Sequence, residues 1–273
     1  MVIDIVILIF AGFLSGILSS LFGLGGGLII VPILALVLPL FNIPHSAVIH
    51  VAVGTSLAIM FVNSANSMRS HHFAGNIKWV YFYKIVPYII LGTIIGAVIA
   101  SFLTASVLIL AFIVFLVVVI IRFIKHLQVQ HEKQFTCTKY PVLFQRMANG
   151  VATGIVSACI GGGSGLLMVP FLKRCGLQIK QSVALSTTFN VLIAFIATLS
   201  YSFLGSHLNN LPRYTTGFIF WPAFVCITIG TFCGVPVGTW LSNRLSEKTL
   251  TVLYFLLLLG IFVTMSSKYL LSL

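Results

Sequence analysis

Apolar runs of about twenty residues recur along the whole chain, separated by short polar breaks, and this repetition leaves few folds open. A run of that length crosses the ~30 Å hydrocarbon layer of a bilayer as an α-helix. The runs are about twice as long as a barrel strand and lack period-two alternation, so helices and not a β-barrel are expected. Composition agrees: 59% of the 273 residues are hydrophobic and only 7% are charged, far from the balance of a water-soluble domain. The reading is an all-α integral membrane protein with no separate soluble domain. The opening "MVIDIVILIF" has no basic leader and is expected to be a retained membrane segment.

The net charge of +12 raises nucleic acid as a partner. The basic residues are scattered over loops without an aromatic-interleaved patch, so no nucleic-acid partner is expected. Cys137, Cys159, Cys175, Cys226 and Cys233 show no C-x-x-C spacing, and four of them lie in or beside apolar runs, where Cys acts as a small hydrophobe.

Helices are expected at 3–22, 28–40, 46–68, 79–101, 103–122, 143–161, 165–175, 181–204, 217–240 and 248–270. Between the first two stands "GLGGG", Gly23 to Gly27. One straight helix over residues 3–40 would be about 55 Å long, nearly twice the hydrocarbon thickness. The glycines must therefore permit a turn or a break.

The same passage returns later. "GFLSGILSSLFGLGGGLIIVPIL" from Gly12 aligns without gaps to "GVATGIVSACIGGGSGLLMVPFL" from Gly150, with eleven of 23 positions identical. "GNIKW" is echoed by "GFIFW", and "GTIIGAVIA" by "GTFCGVPVG". The chain reads as two repeats, 1–125 and 143–273, joined by a polar loop at 126–142.

If each glycine-broken segment crosses once, the chain crosses eight times, the repeats are parallel, and the loops divide about ten basic residues against five. If each folds back, the repeats are inverted. Twelve basic residues, among them Arg69, Lys78, Arg122, Arg146, Lys173 and Arg244, then gather on one face, with Arg213 and Lys268 opposite. Lys84, inside its helix, is outside that count. The sharper bias favours inverted repeats with the basic side cytoplasmic.

A helix restarting after "GLGGG" or "GGGSG" offers first-turn N–H groups and the positive end of its dipole, an arrangement suited to an anion. Pro32 and Pro170 stand at matching places and remove one hydrogen bond from each short helix. Glycine also serves close helix packing, the reading given to the four-residue spacings Gly12/Gly16, Gly92/Gly96, Gly150/Gly154 and Gly230/Gly234/Gly238. Consecutive glycines exceed what packing needs. The candidate site is Gly23, Gly25, Gly26 and Gly27 with Gly161, Gly163, Ser164 and Gly165. The following helices add Ser56 and Asn63 on one face, and Thr187 and Asn190 on another. These side chains either donate to an oxyanion or bond between helices.

The only acidic residues, Asp4, Glu132 and Glu247, lie outside the centres of the runs, which argues against a carboxylate-lined cation path. His50 reads as an interfacial structural histidine, and "RSHH", Arg69 to His72, as a basic cytoplasmic loop, with attraction of anions to the mouth a secondary reading. No nucleophile, acid-base pair or metal cluster stands out, so no catalytic residue, metal or cofactor is expected.

The duplicated "G-x-G-G-G-L...V-P" pattern, with "G-N-I-K-W" and "G-T-x-x-G", resembles the TauE/SafE sulfite exporter family over the whole chain except the loop. The resemblance implies a multi-pass plasma-membrane carrier, bacterial inner membrane by expectation, that exports sulfite or related sulfur-containing anions. Its glycine motifs fall on Gly23, Gly25, Gly26 and Gly27 and on Gly161, Gly163, Ser164 and Gly165, with Ser164 departing from Gly26. A potential negative inside can itself drive anion export, at ~2.3 kcal/mol per charge per 100 mV. The alternatives are an anion channel and a non-transport membrane scaffold or assembly protein. The expected partners are a small anion and lipid, and association of identical copies stays open.

Overall fold

The apolar runs form ten α-helices among the described residues of the computed structural model, which describes 2–22, 26–41, 43–128, 143–205, 214–244 and 247–272. In order they are α1 Val2–Phe22, α2 Gly27–Val37, α3 His45–Phe73, α4 Trp79–Phe102, α5 Ala105–Gln128, α6 Leu143–Ile160, α7 Gly165–Arg174, α8 Ile179–Leu204, α9 Trp221–Arg244 and α10 Glu247–Ser272. A 3-10 turn, Leu38–Phe41, follows α2. Two-residue strands, Thr215–Thr216 and Ile219–Phe220, make an antiparallel hairpin ahead of α9. The protein is an all-α membrane protein apart from that hairpin.

Among the described residues, four segments are long and apolar enough to cross a membrane: Ala47–Phe73, Trp79–Phe102, Lys180–Leu204 and Trp221–Gly238. Their apolar windows are 83% and 61% buried for α3 and α8, against 39% and 33% for α4 and α9. The first two therefore form the centre, and the second two present apolar faces such as Leu91, Ile94, Val98 and Val225, Ile229, Phe232 outward. That inside-out distribution is stable only where the surroundings are themselves apolar.

Small residues set how the outer helices pack. On α1, a Cβ at Gly12 would lie 2.4 Å from Ile227 O, and one at Gly16 2.7 Å from Thr231 O. Reciprocally, Cβ atoms at Gly230 and Gly234 on α9 would fall 2.2 Å from Ile9 O and Phe13 O. The pairing α4 with α6 repeats this: a Cβ at Gly92 would lie 2.3 Å from Val151 O, and one at Gly154 2.5 Å from Ile89 O. In both pairs the contacts advance together along the two chains, so the partners run in the same direction. Backbone touches backbone, and any side chain there drives the helices apart.

Several boundaries differ from expectation: α5 runs on to Gln128, not 122, so the first residues of the expected 126–142 loop are helical, and α9 runs on to Arg244, not 240. Arg69 to His72 belong to the last turns of α3, which ends only where Gly75 takes φ +68°. Nothing between Asn66 and Phe73 breaks a helix, and polarity alone does not end one. The ninth helix begins at Trp221, not 217, because Gly217 (φ +57°) turns the chain into the hairpin first. Its Cβ would meet Ser202 O at 2.2 Å, so the hairpin folds tightly onto the end of α8. His50 stacks on Phe218 at 5.2 Å, and its Nε2 donates to Leu103 O at 3.0 Å. Cys159, Cys175, Cys226 and Cys233 form no disulfide among the described residues; Cys137 lies outside them.

Candidate functional site

The second glycine cluster separates α6 from α7. Gly161 accepts no Cβ-bearing substitute without strain, since its φ is +68° and it reverses the chain just after Ile160. Its N–H still bonds back to Ser157 O at 3.0 Å. Three residues on, Ser164 stands at the N-cap of α7 with φ −63° and ψ −11°. Its carbonyl accepts from Leu167 N and Met168 N, starting the new helix. Its own N–H donates to Asn190 Oδ1 at 2.6 Å, and its hydroxyl lies 3.1 Å from Ser186 O and 3.0 Å from Ser186 Oγ. Ser164 is thus tied to α8 by both its backbone and its side chain. The amides of Gly165 and Leu166, in the first turn, have no carbonyl four residues back within the helix.

The first cluster separates α1 from α2, and Gly23 and Gly25 lie outside the described residues. Gly26 precedes α2 with φ 84° and ψ −29°, and its carbonyl accepts from Ile29 N and Ile30 N. Both short helices carry their proline inside, Pro32 and Pro170.

The two breaks meet. A Cβ at Gly27 would lie 2.0 Å from Gly161 O, which leaves no space between the two backbones at this point. Ser56 of α3 binds the junction: its hydroxyl donates to Gly161 O at 3.0 Å and lies 3.4 Å from Gly27 O. Beside the junction a narrow recess opens, lined by Leu28, Phe115, Ser157, Gly162, Gly163 and Leu166 among others.

The sequence profile described as sulfite exporter TauE/SafE matches residues 8–265, nearly the whole chain. The chain belongs to the TauE/SafE sulfite exporter family. A probable membrane transporter protein of Haemophilus influenzae is 30% identical over 264 residues, covering 97% of this chain and 98% of the relative. A probable membrane transporter protein of Methanocaldococcus jannaschii is 28% identical, covering 90% of each chain, and one of Bacillus subtilis is 29% identical, covering 92% and 95%. No solved structure matches the chain. Family and helices together make this TauE/SafE member a multi-pass membrane transporter.

Within this family member, the structure brings Gly27, Ser56, Gly161, Gly163, Ser164, Gly165 and Asn190 to one junction or its immediate bonds. Asn63 sits seven residues beyond Ser56 on α3, roughly 10 Å along the axis; its Nδ2 is buried with no hydrogen-bond partner among the described residues. Thr187 Oγ1 donates to Ala184 O on its own helix at 2.9 Å. Ser157, 3% exposed on α6 and facing the recess, escaped the sequence reading. The signal for it was in the repeat, because Ser19 occupies the matching place four residues before Gly23.

Proposed function

We propose that this protein is a secondary carrier that moves small anions, sulfite or related sulfur-containing anions, across the plasma membrane in the outward direction. Its substrate site is the junction of the two helix breaks, and transport alternates access around that junction without covalent chemistry. The observation that carries the reading is the start of α2 lying against the break before α7: Gly27 abuts the Gly161 carbonyl, and Leu28 and Leu166, first-turn residues of the two proline-containing short helices, line one recess beside it. First-turn amides and the aligned dipoles favour a negative charge there, and glycine permits close approach. The family's description as sulfite exporters supplies the sulfur anions as the substrate class.

The reading treats residues 1–125 and 143–273 as inverted repeats that face one another at the breaks. Contacts between the central helices support this. His50, near the start of α3, stacks on Phe218, which lies 6.0 Å from Tyr201 near the end of α8, while further along α3 Phe61 meets Phe195 at 5.6 Å. The contacts advance on α3 as they retreat on α8, the opposed sense that inverted repeats require.

Uptake of radiolabelled sulfite by purified protein in liposomes, under an imposed potential, tests the function. Saturable, potential-sensitive flux competed by unlabelled sulfite is the expected result. Absence of flux for sulfite, sulfate, thiosulfate, acetate and taurine with folded protein would refute it. Large single-channel currents would replace the carrier by a channel.

A further inference from the structure

Building on the anion-carrier reading, we infer that the anion is held on one side of the junction only, in the recess beside α7, and that the Ser157 hydroxyl is a direct ligand selecting singly charged anions. Three observations converge on this.

The face between the two breaks is closed to an anion. Gly27 abuts the carbonyl of Gly161, and the Gly161 and Gly27 carbonyl oxygens turn toward Ser56. A negative charge placed there would face oxygen dipoles and would have to displace the Ser56 hydrogen bond.

The opposite side offers donors. The recess borders Gly162, Gly163 and Leu166, at the start of the ten-residue helix α7, whose first-turn amides lack intrahelical acceptors. Ser164 does not compete for that space, since its hydroxyl is engaged with Ser186 and its N–H with Asn190. Ser157 lines the same recess, is 3% exposed, and forms no side-chain hydrogen bond among the described residues. A serine within a helix usually returns its hydroxyl to a preceding carbonyl, as Thr93, Thr188 and Ser200 do here. Ser157 Oγ is not among the fully enclosed unpaired atoms, and Ser157 lines the recess, where a ligand or water can supply its hydrogen-bond partner.

The remaining wall is apolar, with Leu28 from the first break, Phe115 from α5 and Val156 from α6. Desolvation cost rises steeply with charge, and the recess presents donors but no lysine or arginine to offset a second negative charge. By charge, the recess therefore favours a monoanion such as hydrogensulfite or a short sulfonate over a dianion such as sulfate.

The test uses full-length protein in proteoliposomes with radiolabelled sulfite, competed by methanesulfonate or sulfate, for wild type, Ser157→Ala and Gly162→Ala. A Cβ at Gly162 meets only Ile160 Cγ2 at 3.6 Å, so that variant narrows the recess without a clash and serves if Ser157→Ala does not fold. Methanesulfonate is expected to compete at a concentration roughly tenfold or more below that of sulfate. Ser157→Ala is expected to raise the apparent KM by roughly tenfold or more, as loss of a hydrogen bond to a charged group does. Its maximal rate and thermal midpoint should change little, which a merely structural serine would not produce. Gly162→Ala should raise the KM for methanesulfonate more than for sulfite. Wild-type flux with unchanged KM in both variants, or equal competition by the two anions, overturns this inference and leaves the carrier standing. No saturable flux in the wild type overturns the carrier reading itself.

Discussion

The break before α2 and the break before α7 differ in backbone at the matched positions Gly26 and Ser164. In the first, the left-handed residue among the described ones is Gly26, directly at the start of the helix, with φ 84°. In the second it is Gly161, three residues earlier, and the position matching Gly26 is Ser164 at φ −63°. The departure from repeat symmetry at Ser164 follows from this: once Gly161 has turned the chain, an ordinary L-residue suffices at the N-cap. Freed from that constraint, the position carries a hydroxyl and a bound amide that tie α7 to Ser186 and Asn190. Duplicated sequence thus preserves where the helix stops, while the bonding around each stop has diverged.

The comparison can be broken most forcefully at the point of contact. Gly27→Ala places a methyl group against the Gly161 carbonyl at a distance that requires backbone movement, and overpacking of this kind costs about 1–3 kcal/mol or more. Loss of transport and a lowered thermal midpoint in detergent are expected; wild-type flux would show that the two breaks are not in contact during turnover.

Asn190→Ala comes next. It leaves the buried Ser164 N–H without its acceptor, a loss of about 1–3 kcal/mol. The equivalent test on the first break, Ser56→Ala, removes the donor shared by Gly161 O and Gly27 O, whose carbonyls then keep fewer partners. Thermal unfolding of both variants should rank Asn190→Ala as the more damaging.

A reciprocal exchange sharpens the asymmetry. Gly26→Ser forces an L-residue into the left-handed region at a cost of roughly 1–2 kcal/mol. Ser164→Gly keeps an accessible backbone conformation and loses only the hydrogen bonding to Ser186, about 0.5–1.5 kcal/mol. Equal destabilisation by the two changes would contradict the different backbone states of the breaks. The smallest effect is expected for Thr187→Val, whose hydroxyl bonds only within α8: stability should move by less than about 1 kcal/mol, and an increased KM for sulfite would identify it as an anion contact.

Much of the scaffold was legible because its signals are local. The glycine runs lie between the helices flanking them, with the prolines at 32 and 170 inside the short helices that follow, and the start of α7 at Gly165 coincides with its expected position. Glycine spacings of four announced close packing without naming partners; that Gly12 meets Ile227 while Gly92 meets Val151 depends on residues far along the chain. The turns of α3 through Arg69 to His72 were hidden by polarity, which marks solvent as readily as it marks a loop. Thr55 shows the same limit on the site: its hydroxyl accepts from Phe220 N, a residue 165 positions away.

Sequence alone determined that this chain lives in a bilayer, is helical, carries a duplicated interruption, and belongs with the sulfite exporters by its motifs. Those properties rest on hydrophobic length, on the backbone freedom of glycine and on the missing N–H of proline, all of which act within a few residues. The tertiary structure alone decided that Gly27 touches Gly161, that Ser56 closes one side of their junction, and that Asn190 holds Ser164 while Ser157 faces the recess. Buried donors and acceptors must find partners wherever packing brings them, and packing joins segments that the sequence keeps more than a hundred residues apart.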